Sequence, residues 1–463
     1  MIECKNCGGN VKFDIKSQKM FCSFCNTYYD PYEFEEHEAD AEEHDTYEAK
    51  VFTCPQCAGE IISEENEAAT FCTFCGASTV LASRILKSKR PDSIIPFQIT
   101  KDQCKELYRK RMSKALYAPS EYKKEEYIDS FRGIYMPYWI YDTTQDNYVN
   151  LKAEKHYRSG NYRIEEEYAL DFRLNAHYEG ISYDASSSFA DNISGAIAPF
   201  DYSKAIKFTP AFFSGFYADT TDVSANTYKE DVDGICNSAA ATAIENHSMV
   251  KGKTVKYPVM HKNHVFGTDT RCKEESMYPV WFVSHRQGDR VSYTTINGLT
   301  GKIAADIPID ITKYIIGSLM VAIPIAILLF MFPIIRPTTA VIFSTFLTAM
   351  ALIIVLSESK SVKNRDLNVG DKGMLMKADT NRDDSDIVSK QYNMTSIIIC
   401  GLTIALGVFV FFAKPIQDHY YYAVVIAQLL TSIVAYIVVI MNYNLLSTRK
   451  LPQFKRKGGD DRA

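Results

Sequence analysis

Residues 4–25 read "CKNCGGNVKFDIKSQKMFCSFC" and residues 54–75 read "CPQCAGEIISEENEAATFCTFC". Both place four cysteines as C-x2-C-x14-C-x2-C, the second copy displaced by fifty positions. A Cys-x-x-Cys turn brings two thiolates to one side of an ion, and two such turns joined by a short hairpin close a tetrahedral sulfur site. Zn(II) accepts that donor set, with no open position left for catalysis. Cys4, Cys7, Cys22 and Cys25 therefore read as ligands of one structural zinc ion, and Cys54, Cys57, Cys72 and Cys75 as ligands of a second. Gly8, Gly59 and Gly76 follow the turns where backbone amides approach sulfur. The β-prone stretches Val11–Ile15 and Met20–Phe21 supply short strands. In so short a segment the metal replaces a hydrophobic core. The same ligands permit an iron–sulfur centre, disulfides in an oxidising compartment, or pairs exchanged between the copies. The reading gives two small β zinc ribbons, at 1–30 and 51–85.

The linker 31–50 between them is strongly acidic, with His37 and His44 among its carboxylates, and reads as a solvated spacer. Residues 1–90 carry 9 Lys/Arg against 16 Asp/Glu, a surface that repels phosphates, so no nucleic-acid partner is expected. No charged and apolar leader precedes the cysteines, so no secretory signal is expected. Free thiolates then belong in a reducing cytosol.

Residues 90–312 mix helix and strand patterns, an α+β cytosolic domain. Thr100 and Gln103 form a capping box, after which Cys104, Leu107, Tyr108, Met112, Ala115 and Leu116 recur at helical spacing. Tyr168, Leu170, Phe172 and Leu174 alternate with polar or small residues as in a half-buried strand. Val223–Asn246 reads as a second helix, weakened by Gly234. The two tryptophans sit in related phrases, "YMPYWIYD" (Trp139) and "MYPVWFVSH" (Trp281), which predicts an internal repeat or two central strands of one sheet. Turns are expected at Gly288-Asp289 and Asn297-Gly298. His247, His261, His264 and His285 are scattered, and Cys104, Cys236, Cys272 and Cys400 read as ordinary buried thiols. No catalytic constellation assembles, so no enzyme is expected.

Four apolar runs follow, Tyr314–Ile335, Thr338–Leu356, Thr395–Ala413 and Tyr420–Tyr443, each long enough to cross a hydrocarbon layer about 30 Å thick. They define an all-α transmembrane region of four helices at 313–335, 338–356, 395–413 and 420–443. The loop 357–394 holds seven Lys/Arg and the tail 444–463 holds six, against Arg336 and Lys414 in the short connectors. Positive residues stay inside, so loop, tail and amino-terminal head are expected in the cytosol, in a multi-pass protein of the cell membrane. The basic tail suits anionic lipid headgroups. No charged side chain lies within the four apolar runs, which argues against a proton relay. Ser344, Thr348, Gly401 and Ala405 are expected at close helix contacts.

The ribbons, "IIPFQITKDQC" (94–104), "FRGIYMPYWIYD" (131–142), "FDYSKAIKFTPAFFSGFYAD" (200–219) and "YPVWFVSHRQGDRVSYTTINGLTGKI" (278–303) occur in that order before the spans. In this the chain resembles multi-pass membrane proteins of Gram-positive bacteria that carry a TFIIB-type zinc ribbon. The resemblance implies a scaffold or sensor recruiting cytosolic or membrane-associated proteins, PspA-like or flotillin-like, in envelope stress. It implies the eight ribbon cysteines as zinc ligands and supplies no catalytic residues. A channel or transporter regulated by the head is the alternative expectation.

Overall fold

The computed structural model describes residues 2–34, 46–63, 72–78, 82–258, 262–331, 336–367, 370–373 and 387–451. His37, His44, most of the acidic linker, His261 and the tail after Leu451 lie outside the described residues. A β-rich amino-terminal and middle region leads through an α+β body to four apolar helices.

The first ribbon is a sheet of its own, β1 (Val11–Asp14), β2 (Lys19–Cys22) and β3 (Tyr28–Tyr29), antiparallel in that order. Val11, Phe13, Met20 and Cys22 alternate inward and are buried. Among the described residues, the second ribbon has no separate sheet. Its segments β4 (Thr46–Thr53), β5 (Glu60–Ile62) and β6 (Ala82–Lys89) are strands of a thirteen-stranded sheet that continues through the body. β4 begins inside the segment read as a spacer.

That sheet adds β7 (Ser93–Ile94), and the chain then forms α1 (Lys101–Lys114) and α2 (Glu125–Asp129). In α1 both capping-box bonds are present, and Cys104, Tyr108 and Met112 turn to the core. Leu116 lies past the helix end and is exposed. Two long strands follow, β8 (Arg132–Ser159) and β9 (Tyr162–Asp184), paired antiparallel along most of their length. After α3 (Asp191–Ile197), β10 (Ile206–Lys207) and β11 (Tyr217–Ala218) comes α4 (Lys229–Glu245). It starts later than the pattern suggested, because Val223 is buried beside Trp139 and Tyr228 instead forms the helix N-cap. β12 (Thr254–Lys256), α5 (Lys262–Phe266), β13 (Thr268–Gln287), β14 (Arg290–Asn297) and β15 (Ile303–Ala305) complete the body.

β8 and β13 are direct antiparallel neighbours, with Trp139 opposite Glu275 and Trp281 opposite Gly133. The tryptophan phrases are thus adjacent central strands. Each indole N–H is satisfied by a backbone carbonyl, Trp139 donating to Val223 and Trp281 to Ile99, both at 2.8 Å. Trp281 is buried and Trp139 half-buried, and with their polar edges satisfied both are packing elements of the core. Two-residue β11 pairs with β8 on one side and β5 on the other, and so joins the second ribbon to the body. The expected turn at Gly288-Asp289 closes the β13–β14 hairpin, with Gly288 at φ +63°.

The apolar helices are α6 (Ile311–Met331), α7 (Pro337–Asp366), α8 (Ile387–Ala413) and α9 (His419–Leu446), all long and apolar enough to cross a membrane. α7 continues through ten residues of the segment read as loop, and α8 begins inside it. The last three helices pack together around buried polar side chains. Gln428 accepts from Ser344 (2.5 Å) and donates to Thr345 Oγ1 (2.8 Å) and the Thr403 carbonyl (3.0 Å). Thr348 bonds Ser432 at 3.0 Å. Ser344 and Thr348 thus lie at helix contacts, but Gly401 has open space beside it and Ala405 is exposed. Gly407 permits the close approach, since a Cβ there would collide with Gln428 Nε2. α6 stands apart: Ser318 through Leu328 are all exposed.

Helices and head are joined by charge and by backbone. After α9 the chain forms β16 (Arg449–Lys450), which pairs antiparallel with β14. Arg290 of β14 reaches Asp366 at the end of α7 (2.9 Å) and the Leu445 carbonyl of α9 (2.9 Å). Asp306 sits between Arg365 (2.9 Å) and Arg449 (3.5 Å). Lys372, in the α7–α8 connection, pairs with Asp231 of α4 at 2.6 Å.

Candidate metal centres

Each Cys-x-x-Cys pair opens a turn of the same form. The amide four residues after the first cysteine donates back to that cysteine's carbonyl: Gly8 to Cys4 (2.8 Å), Asn26 to Cys22 (2.8 Å), Ala58 to Cys54 (2.8 Å) and Gly76 to Cys72 (3.0 Å). All four donors adopt left-handed backbone, at φ +70°, +57°, +57° and +68°. Gly59 does not occupy that position, as its spacing had suggested; Ala58 does. Gly59 instead directs its N–H at Cys57 Sγ, at 3.4 Å.

The sulfurs converge within each copy, so pairs are not exchanged between copies. Cys4 and Cys25 lie 3.5 Å apart and Cys7 and Cys22 3.6 Å in the first ribbon; Cys54 and Cys75 are 3.8 Å apart and Cys57 and Cys72 3.6 Å in the second. All four sulfurs in each set fall within 4.8 Å of one another, and all eight thiols are free of disulfides. A tetrahedral ion with metal–sulfur bonds of about 2.3 Å needs sulfur–sulfur separations of about 3.8 Å. The donor sets therefore fit a divalent ion. Without a cation the sulfurs share protons: in the second ribbon hydrogen bonding to the Cys54 sulfur, and then to Cys72, holds the Cys57 thiol above the ordinary thiol value. In the first ribbon burial resists ionisation of Cys4, but the Tyr29 hydroxyl at 3.1 Å and nearby backbone amides outweigh it and lower Cys4 to about 6.

Surroundings separate the two centres. Cys7 is exposed and Cys25 half-buried, with Thr27 Oγ1 3.2 Å from the Cys25 sulfur. The first ribbon docks by an edge and by its inner face: Phe13 N–H donates to the Ser214 carbonyl (3.1 Å), Gln18 Nε2 to the Phe97 carbonyl (2.8 Å), and the Phe13 ring meets Phe212 edge-on at 5.1 Å in the core that the ribbon shares with the body. Its outer surface carries Phe24, 76% exposed, and Tyr28. All four cysteines of the second ribbon are buried, packed with Phe52, Ile61 and Phe74. Tyr293 of β14 donates to the Phe74 carbonyl at 2.6 Å, Arg286 Nη1 to Gln56 at 2.6 Å, and Leu451 after β16 packs against the same cluster.

Other candidates disperse. His285 packs against Tyr122 and Tyr127, His264 is exposed, and His247 caps a short turn. Cys104, Cys236 and Cys400 are buried as expected, but Cys272 is exposed, at the irregularity where β13 shifts register against β8. One group escaped the sequence reading: Glu154, His156 and Glu165 meet on the β8–β9 hairpin, brought together by cross-strand register. Lys256 already pairs with Glu154 there and supplies the cation. No signal in the linear sequence marks that meeting.

No family model matches the chain, and no solved structure does. It is similar to an uncharacterized protein of Bacillus subtilis (strain 168), YdjG, with 27% identity over 316 residues, covering 66% of this chain and 90% of that protein.

Proposed function

We propose that the protein is a zinc-binding multi-pass membrane adaptor, with head and both termini in the cytosol, that presents its first ribbon to protein partners. The observation that carries this reading is the peripheral ribbon with its exposed Phe24 and Tyr28 on a frame held by four thiolates. Exposed aromatics on a rigid base are what protein interfaces use as anchors. Zinc suits both centres because each offers four sulfurs and no open position. The positive-charge bias of loop and tail supports the orientation. The family resemblance favours PspA-like or flotillin-like partners and a role in envelope stress.

The test is purification in mild detergent through a tag on the tail, with co-purifying proteins identified by mass spectrometry. Replacing Cys22 and Cys25 with Ala is expected to remove stoichiometric cytosolic partners while membrane insertion is retained. Partners held equally by the variant overturn the role of the ribbon. A partner-free wild-type protein that supports solute flux in liposomes would instead favour transport.

A further inference from the structure

The loop after α1 is laid directly on an apolar helix. α1 ends at Lys114, and residues 115–119 lead into a short 3-10 turn at Ser120–Lys123. The Tyr117 carbonyl accepts from the Asp310 N–H at 2.8 Å, and Lys313 Nζ donates to the Ala118 carbonyl (2.8 Å) and to Ser120 Oγ (3.0 Å). The Tyr117 ring stands edge-on to Tyr314 at 5.3 Å and rests on the backbone of Gly317, where a Cβ would lie 2.7 Å from it. Gly317 lies beyond the first turn of the candidate span that opens at Ile311, about 9 Å along it. A head loop packed at that level enters the bilayer boundary together with α6, where aromatic rings are favoured.

Two further observations converge on the same loop. Leu116, the neighbour of Tyr117, is 73% exposed, an arrangement that favours transfer of its side chain into an apolar layer. The stretch 109–124 holds six Lys/Arg and one carboxylate, Glu121. Lys110, Arg111, Lys114, Lys123 and Lys124 are exposed, and among the described residues none of the five meets a carboxylate. Nearby acidic groups are engaged elsewhere: Glu125 by Arg109 and Asp129 by Lys105, both at 2.6 Å, while Glu121 lies 3.3 Å from His285 Nε2. Lys114 is three residues from Tyr117 and Lys123 three from Ser120, so each backbone lies within about 11 Å of a residue that touches α6. Lys110 and Arg111 stand about one helical turn behind Lys114, and Lys124 follows Lys123. The dipole of α1 calls for a cation in its last turn, but it does not account for the two lysines after the 3-10 turn or for the leucine between them and the helix.

We propose that this loop seats the head on an anionic lipid surface: Leu116 inserts at the lipid–water boundary, and Lys110, Arg111, Lys114, Lys123 and Lys124 bind the phosphates of anionic phospholipids around it. The inference rests on the membrane reading of the four helices and is independent of partner recruitment. An apolar side chain and unpaired cations side by side are the two components that hold a peripheral surface to anionic lipid.

The experiment uses the full chain in two settings. In vesicles containing phosphatidylglycerol and phosphatidylcholine brominated on the acyl chains, the indole introduced by Leu116→Trp is expected to lose about half of its emission, with the parent protein's Trp139 and Trp281 as background. In detergent, native mass spectrometry follows titration with phosphatidylglycerol or phosphatidylcholine of identical acyl chains. Replacing the five basic residues with Gln should weaken phosphatidylglycerol binding about ten-fold, less than the share of two basic residues at an anionic surface, and leave phosphatidylcholine binding unchanged. The thermal transition of the head should stay in place, since all five side chains are exposed. An unquenched indole would leave this surface to a protein partner and overturn the assignment, as would undiminished phosphatidylglycerol binding by the Gln variant. Soluble glycerol phosphate is expected to leave the lipid bound; displacement would make this a site for a free phosphate ester and overturn the lipid surface. Alkaline carbonate separates the two levels of the inference. If it strips the chain from membranes, the membrane reading fails and this proposal with it; a chain that stays embedded with an unquenched indole refutes this proposal alone.

Discussion

The two ribbons share spacing, turn geometry and donor set, yet one is a peripheral sheet of three strands and the other is part of a sheet of thirteen. The first has an exposed cysteine on its outer side and packs its inner face into the main core of the body; all four cysteines of the second are buried, beside β14 and Leu451. A cysteine motif fixes a local loop, and its surroundings decide whether that loop is a surface or a structural joint.

The largest expected effect breaks the joint. Replacing Cys72 and Cys75 with Ser should abolish cooperative thermal unfolding of the head, because a structural zinc site contributes on the order of 10 kcal/mol, comparable to the whole stability of a domain. Limited proteolysis should then cut within β4–β6, and an unchanged melting curve would show that sheet packing alone holds the region. The matching change at Cys22 and Cys25 should lower the head transition by less, because one side of that ribbon is exposed although its inner face joins the main core, and new cleavage should begin within residues 2–34. If both double variants melt alike, the contrast is wrong.

Metal release sharpens the comparison further. A strong chelator should remove two ions in two phases, the faster from the first ribbon, with alkylation at Cys7 appearing during that phase; a single phase with simultaneous labelling would contradict the difference in burial. The smallest effect concerns the left-handed turn at Ala58. Ala58→Gly should raise stability by about 1 kcal/mol, since an L-residue with a Cβ resists that conformation. Asn26→Gly should change stability less, because Asn tolerates left-handed backbone, and denaturant midpoints would measure both.

What could be read from the linear chain was local. Cysteine spacing, the Thr100–Gln103 cap, the β13–β14 turn and the four apolar runs depend on residues close in sequence, and each has its counterpart in the structure. Pairing between distant segments was not legible: nothing in residues 46–53 announces that they join residues 82–89, or that Tyr217–Ala218 bridges the second ribbon to β8. The left-handed position was available by counting four from each leading cysteine, but the nearby glycine drew attention to Gly59. Inside the helices, small size alone did not distinguish Gly401 from Gly407, because only three-dimensional packing places Gln428 against one of them.

β16 has a consequence for biogenesis. Residues 449–450 emerge from the ribosome after all four apolar helices, yet they occupy the edge of a sheet whose other strands were translated long before. If the four apolar helices cross a bilayer as proposed, the head reaches its final form only after the last helix has returned its end to the side of the head. In that proposed topology, a molecule that loses one crossing would deliver this strand to the wrong compartment and leave the β14 edge open, so completion of the head would report the success of membrane insertion.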